Sequence, residues 1–424
     1  MLRWFENLPD LHPEEDLDIL VADESVERLM SIVRERQKRG VPCDIYSVTG
    51  VMRTKYKGIP YYPPHLAAEL LDNTELYQGY IPVPSKKYHF LSLAYHAVFH
   101  KGPASDLSKD REVRRESTMS SSTNSHFQAL RALRDELGLD VSIDIDSLSE
   151  YLRQQDWEPS PDLLRKLGET NDWAKHLYAE RAERRESVDG VGVIVLRDWA
   201  LRNGWLPHVL VYLQRMGMTI LTIQELTGST REIAYRFMRG GNWTASPIFP
   251  VNGGGPATMI SVFDPHPAPL ATEDRERYPH MSNGRMLQLK RDLRDMMNQG
   301  RKPEALVNTV HTSDDESEAA YYLEIIDPSV IPSLRGLTDG IRPRVDEVPA
   351  PLVDQTASAA RDVSTASTVT GPKATEPGSA RVERQKAASA DAIVRRLPGP
   401  AKALLRRLPT PVKRLLRRIV AAKP

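Results

Sequence analysis

A single histidine sits in V-N-T-V-H-T-S-D-D-E-S-E-A, residues 307–319, among side chains suited to phosphate chemistry. The run reads as a strand or loop that ends at a helix start. Ser313, with Glu316 three residues on, has the spacing of a capping box. His311 then lies near the positive end of that helix, where phosphate is favoured. A neutral imidazole in such a place can attack a γ-phosphoryl group and carry it as a phosphohistidine. From these residues alone, a polar loop histidine is the other reading.

A second group is acidic. In E-E-D-L-D-I-L-V-A-D, Asp16 and Asp18 are two apart on an expected strand, so both carboxylates share a face, with Leu17, Ile19 and Val21 on the other. S-V-E-R-L-M-S-I-V-R-E-R-Q-K-R-G follows as an amphipathic helix with Val26, Leu29, Ile32 and Val33 inward. V-P-C-D-I-Y-S-V is a second strand carrying Asp44. Strand, helix and strand bring the three carboxylates together, and Mg²⁺ would relieve their repulsion and clamp a triphosphate. Carboxylates exposed at a strand end are the alternative. His96 and His100, four apart with His89 seven before His96, share a helix face and suit either a metal or a core.

The elements that must position these groups fall into segments. Residues 1–100 mix strands and helices, 101–187 are mainly helical, and 188–330 mix strands and helices again. Residues 341–390 are rich in Pro, Ala, Ser and Thr and read as a linker unable to bury enough surface to order itself. The 424-residue chain has a formal net charge of zero, but residues 391–424 hold ten Lys/Arg against one Asp. The rest carries 47 basic and 56 acidic residues. A basic tail on an acidic body points to a separate partner for the tail. The tail repeats RRLPGPAKALL as RRLPTPVKRLL and then begins RRIV, so Leu404, Leu405, Leu408, Leu415, Leu416 and Ile419 line up beside arginines. This pattern suits an anionic membrane surface; a loosely polyanion-binding tail is the plainer reading. No aromatic residue is present there to stack on bases. One cysteine, Cys43, excludes an internal disulfide and fits a reducing compartment. No secretory signal or spanning apolar run is evident, so a cytoplasmic protein peripheral to a membrane is expected.

The D-x-D strand and later acid resemble the nucleotidyltransferase fold of the DNA polymerase β-like superfamily. LRWFENLPDLHPEEDLDILV, YYPPHLAAELLD and KKYHFLSLAYHAVFHKG resemble members associated with surface-glycan enzymes. The resemblance implies Asp16 and Asp18 as metal ligands and Asp44 as third carboxylate or base. The family's Gly-Ser turn before the D-x-D is absent, since the first glycine is Gly40.

N-T-V-H-T-S-D-D-E-S-E-A resembles the nucleoside diphosphate kinase signature N-x-x-H-G-S-D-x-x-x-x-A. GVGVIVLRDWAL, PHVLVYLQRMG, MTILTIQELT, STREIAYRFMRG, GGPATMISVFD and KRDLRDMM follow that family's order over about 188–328. The resemblance implies a ferredoxin-like βαββαβ domain within an α+β or α/β chain, often oligomeric. It makes His311 the phosphoryl acceptor, with Asn308 on the ribose and Ser313 supporting the imidazole. Tyr235 would line the phosphate site, Arg294 would neutralise transferred charge, Glu324 would orient the histidine, and Mg²⁺ would bridge the phosphates of ATP or another nucleoside triphosphate. Two positions depart from the family: Arg197 stands for its strand-end lysine, and Thr312 for its glycine. RGGNWTASPIFPVNGGG has no counterpart there. The combined expectation is a phosphotransferase joined to a Mg-dependent nucleotidyltransferase-like domain, possible in surface glycan assembly, or else a nucleotide-binding scaffold without turnover.

Overall fold

The computed structural model describes residues 1–8, 16–35, 42–107 and 125–339. The expected linker and basic tail, and most of the polar run at 108–124, lie outside the described residues. The chain is mixed α+β. Its first sheet is a parallel pair, β1 (Leu17–Val21) and β2 (Cys43–Ser47), joined by helix α1 (Val26–Glu35). Then come α2 (Pro64–Asp72) and an antiparallel hairpin, β3 (Thr74–Tyr77) with β4 (Ile81–Pro84). Helices α3 (Lys86–Tyr95), α4 (His126–Leu137), α5 (Ile145–Gln154), α6 (Pro161–Leu167) and α7 (Asp172–Arg184) complete this N-terminal unit. One apolar core runs through it from Leu2 to Leu177, so residues before and after position 100 pack together.

Burial corrects two patterns expected here. On β1 it is Asp18 and Leu20 that are buried, while Leu17, Ile19 and Val21 are only half-buried. In α1, Val26 is buried but Ile32 is exposed. A lone β-α-β pair has little sheet to cover, so neither apolar stripe is fully used.

The second unit is built on a four-stranded sheet: β5 (Val191–Arg197), β6 (Thr219–Glu225), β7 (Pro256–Phe263) and β8 (Val310–Thr312), in spatial order β6-β7-β5-β8, antiparallel throughout. Its helices are α8 (Asp198–Arg202), α9 (Leu206–Arg215), α10 (Gly228–Phe237), α11 (Thr272–Arg277), α12 (Gly284–Asn298), α13 (Glu316–Ile326) and α14 (Ile331–Asp339). The continuous apolar run of β5 is explained by burial on both faces. Ile194 and Leu196 join a core with α9 and α12, while Val193 and Val195 join one with α10 and α13. The same period of two turns Val310 towards the first core and His311 away from it. Among the described residues no helix is long and apolar enough to cross a membrane.

Candidate functional site

His311 is on β8, opposite Val195 of β5. Its Nε2 is 2.9 Å from the Tyr322 hydroxyl, and that hydroxyl donates to Glu318 Oε1 at 2.6 Å. Glu318 Oε2 accepts the Asp314 backbone N–H at 2.5 Å. The Arg239 backbone N–H also donates to the Tyr322 oxygen, at 3.1 Å. A phenol has one proton and two lone pairs. When Glu318 is ionised it takes the phenolic proton, Arg239 takes one lone pair, and the remaining lone pair accepts Nε2–H. That assignment leaves the lone pair of His311 on Nδ1.

The surroundings keep the imidazole neutral. Burial holds its pKa well below the ordinary value, and Lys290, Arg239, Arg294 and Arg197 push it further down. Glu318 is affected in the opposite sense. Burial, then Asp314 and Asp162, push its carboxyl up to about 8. Asp314 itself is held low by Lys290 and Arg165 against the effect of burial. Its carboxylate lies 3.6 Å from Lys290 Nζ and 2.7 Å from Arg165.

Each residue expected at this site has a definite place. Arg197 closes β5 at a register shift against β7, the kind of irregularity that re-aims a side chain. Its guanidinium is buried and donates to Gly254 O at 2.7 Å, Thr244 O at 3.4 Å, Asn252 Oδ1 at 2.6 Å and the Trp243 carbonyl. Burial, with Arg239 and Arg294 nearby, lowers its pKa to about 9, which leaves it charged at neutral pH. Arg294 donates to Val310 O at 3.0 Å and lies over Phe249, while its Nε has no partner among the described residues. Asn308 is buried with its amide 3.4 Å from Thr244 O. Tyr235 is half exposed, and its ring lies against Gly255.

The segment 239–255 therefore folds over the end of β5. Its glycines are needed for close approach. A Cβ on Gly253 would stand 1.8 Å from the Asn308 carbonyl oxygen.

Two expectations are corrected. Ser313 does not cap a helix: its hydroxyl accepts the Val193 N–H at 3.1 Å, which fastens β8 to β5. The cap is Asp315, whose carboxylate accepts the Glu318 N–H at 2.7 Å, so the helix begins two residues later than the Ser313–Glu316 pattern implies. Glu324 does not orient His311. Its exposed carboxylate pairs with Arg185 at 3.2 Å, while Tyr322 meets the ring. The sequence reading also missed Lys290, Arg239, Glu318 and Tyr322. Lys290 is one helical turn before Arg294, and Glu318 one turn before Tyr322; these spacings of four were the available signal. Arg239 gave none, because its position depends on a left-handed turn.

The acidic group of the N-terminal unit is arranged differently from expectation. Asp18 and Asp44 are register partners across β1 and β2. Yet Asp18 is buried against Arg3, 2.7 Å from its guanidinium, while Asp16 and Asp44 are exposed. Burial raises the Asp18 carboxyl to about 6 despite Arg3, with Asp16 and Asp44 adding to the rise. A cation already neutralises the central carboxylate, so this donor set does not fit a divalent metal. Among the described residues no group of three or more His, Cys, Asp and Glu side chains is arranged to hold one. His89, His96 and His100 are buried among aromatic rings, with His96 Nδ1 2.5 Å from the Tyr61 hydroxyl. They serve the core.

No protein-family model and no curated protein matches this chain.

Proposed function

We propose that the second unit transfers a phosphoryl group from a nucleoside triphosphate such as ATP through His311. The observation that carries this reading is a neutral imidazole, held at Nε2 by Tyr322, among four basic side chains. An uncharged nucleophile amid cations suits an anionic, electron-poor phosphorus. In the forward step the Nδ1 lone pair attacks the γ-phosphorus, the N–P bond forms and the bond to the bridging oxygen breaks, releasing the nucleoside diphosphate. The proton stays on Nε2, hydrogen-bonded to the Tyr322 oxygen, so the phosphorylated ring is an imidazolium until the N–P bond breaks. An acceptor oxygen then attacks phosphorus and the N–P bond breaks. Arg294 and Lys290 offset charge on the transferred group, and Mg²⁺ enters on the nucleotide. The sheet order, with the first and third strands central and the second and fourth at the edges, is the one a ferredoxin-like βαββαβ unit requires. We assign the N-terminal unit no transferase step, because Asp18 is committed to Arg3.

One observation favours a second reading, a nucleotide-binding scaffold without turnover. Thr244 O already accepts from both Arg197 and Asn308, so segment 239–255 occupies two groups expected to bind nucleotide. Both readings allow the basic tail to hold the protein at an anionic membrane.

Incubation with γ-phosphate-labelled ATP and Mg²⁺ separates them. An acid-labile, base-stable phosphoenzyme is expected for the wild-type chain and none for His311→Ala. ATP binding without label in either chain would leave the scaffold reading.

A further inference from the structure

Arg239 lies in an unusual stretch of backbone. It adopts φ 54°, and Gly240 and Gly241 follow with φ of 60° and 69°, three left-handed residues in succession. A non-glycine residue in this region is strained unless its surroundings impose the conformation. Here they do. The Arg239 N–H is fixed on Tyr322, and the turn is pressed against the N-terminal unit. A Cβ on Gly240 would stand 2.8 Å from Leu163 Cγ of α6, and one on Gly241 2.7 Å from the Arg236 carbonyl oxygen.

The turn delivers a guanidinium with little to hold. Arg239 Nη1 is buried without a hydrogen-bond partner among the described residues, as is Arg294 Nε. No carboxylate within ion-pair distance of Arg239 is found among those residues. Arg197, by contrast, is satisfied by the carbonyls of segment 239–255. Buried charged donors left open are costly, and each calls for a specific explanation. Arg239 and His311 share the Tyr322 hydroxyl, and the guanidinium is near enough to act on the imidazole. A ligand that would satisfy the arginine and the free Nδ1 is a tetrahedral phosphoryl group, whose oxygens can take the arginine fork.

We propose that Arg239 binds the oxygens of the phosphoryl group transferred at His311, presented there by a left-handed turn that α6 of the N-terminal unit holds in place. This rests on the phosphohistidine reading but adds a ligand that the sequence did not reveal. Arg239 is a catalytic residue in this proposal, and Leu163 positions it.

Two readouts on the full chain test it: the rate of phosphoenzyme formation, and binding of inorganic pyrophosphate by calorimetry. Arg239→Gln is expected to slow labelling on the order of 10²–10³-fold, the usual loss for one oxyanion donor, and to weaken pyrophosphate binding at least about tenfold. Arg239→Lys should recover part of both, as a charge without the fork. Gly240→Ala keeps every charge but collides with Leu163, and should lower both readouts. Labelling and pyrophosphate binding unchanged in Arg239→Gln would overturn the proposal. Should that variant not fold, an Arg239→Lys chain equal to wild type in both would do the same. If wild type does not label, yet pyrophosphate binds and the Arg239 variants lose it, the anion contact stands and the transfer reaction fails.

Discussion

At the level of single residues, the Tyr322 hydroxyl decides which imidazole nitrogen is free, and Glu318 decides where the phenolic proton points. An ionised Glu318 accepts from Tyr322 and leaves Nδ1 with its lone pair; a protonated Glu318 can reverse the chain. The carboxyl is pushed up to about 8, facing Asp314, Asp162 and Tyr322, with Lys290 and Arg165 beyond. Phosphoenzyme formation should therefore rise with pH and level off above about 8. Stability should move the other way. Between the ordinary carboxyl range and about 8 the folded chain binds the Glu318 proton and the unfolded chain does not, so this term weakens folding as pH rises. Glu318→Gln should flatten that slope in denaturant titrations across pH 5–8 (about the span between the two pKa values) and abolish the pH dependence of labelling. An unchanged slope would place the titrating group elsewhere. His311 and Asn308 were singled out by the resemblance of N-T-V-H-T-S-D to a family signature, since local spacing alone left a polar loop histidine open. Tyr322 was not, since a tyrosine in an apolar helix face reads as core until its hydroxyl partners are known.

Among the elements, β5 was recognised as a strand through the resemblance of GVGVIVLRDWAL, and its place in the sheet came from the structure. Its unbroken apolar run has one economical solution, a central strand covered on both faces. The start of α13 was misread because S-D-D-E-S-E offers overlapping caps, and local spacing cannot choose between Ser313 and Asp315. The choice is tertiary: Val193 needs a partner for its N–H at the point where three-residue β8 ends, and Ser313 supplies it. Ser313→Ala leaves that buried N–H open and should cost about 1–3 kcal/mol, read from the urea midpoint. A loss confined to a few tenths would mean water or a neighbour replaces the hydroxyl. The Asp16–Asp18 face was misjudged for a related reason. Alternation fixed which side chains share a face, but Arg3, distant in spacing from any motif, decided that the Asp18 side is buried.

Across the whole molecule, the two units meet at the loop after His311. Arg165 of α6 bonds Asp314 at 2.7 Å and Asp315 at 3.4 Å, and Tyr178 of α7 reaches Asp315 at 3.2 Å. None of this could be read along the chain, because some 150 positions separate the partners (|i−j| of 149 for Arg165 and Asp314). Arg165→Leu removes the charge-assisted bonds to Asp314 and Asp315 and, among the described residues, leaves Asp314 paired with Lys290 alone, at a cost of about 1.5–3 kcal/mol. Thermal unfolding is expected to broaden or split as the units come apart; a single transition at the wild-type midpoint would show that Arg165 does not join them.

The left-handed turn at Met238–Gly241 has a thermodynamic consequence. It touches α6 on one side and the Tyr322 hydroxyl on the other, so the seating of the first unit and the filling of the second unit's site share one free-energy term. Such terms are reciprocal. Whatever anion tightens the turn from the His311 side must lower the equilibrium population in which the α6 contact is open by the same factor. Amide exchange at Leu163 and its neighbours, across the contact with Gly240, then becomes a gauge of occupancy read from the other unit.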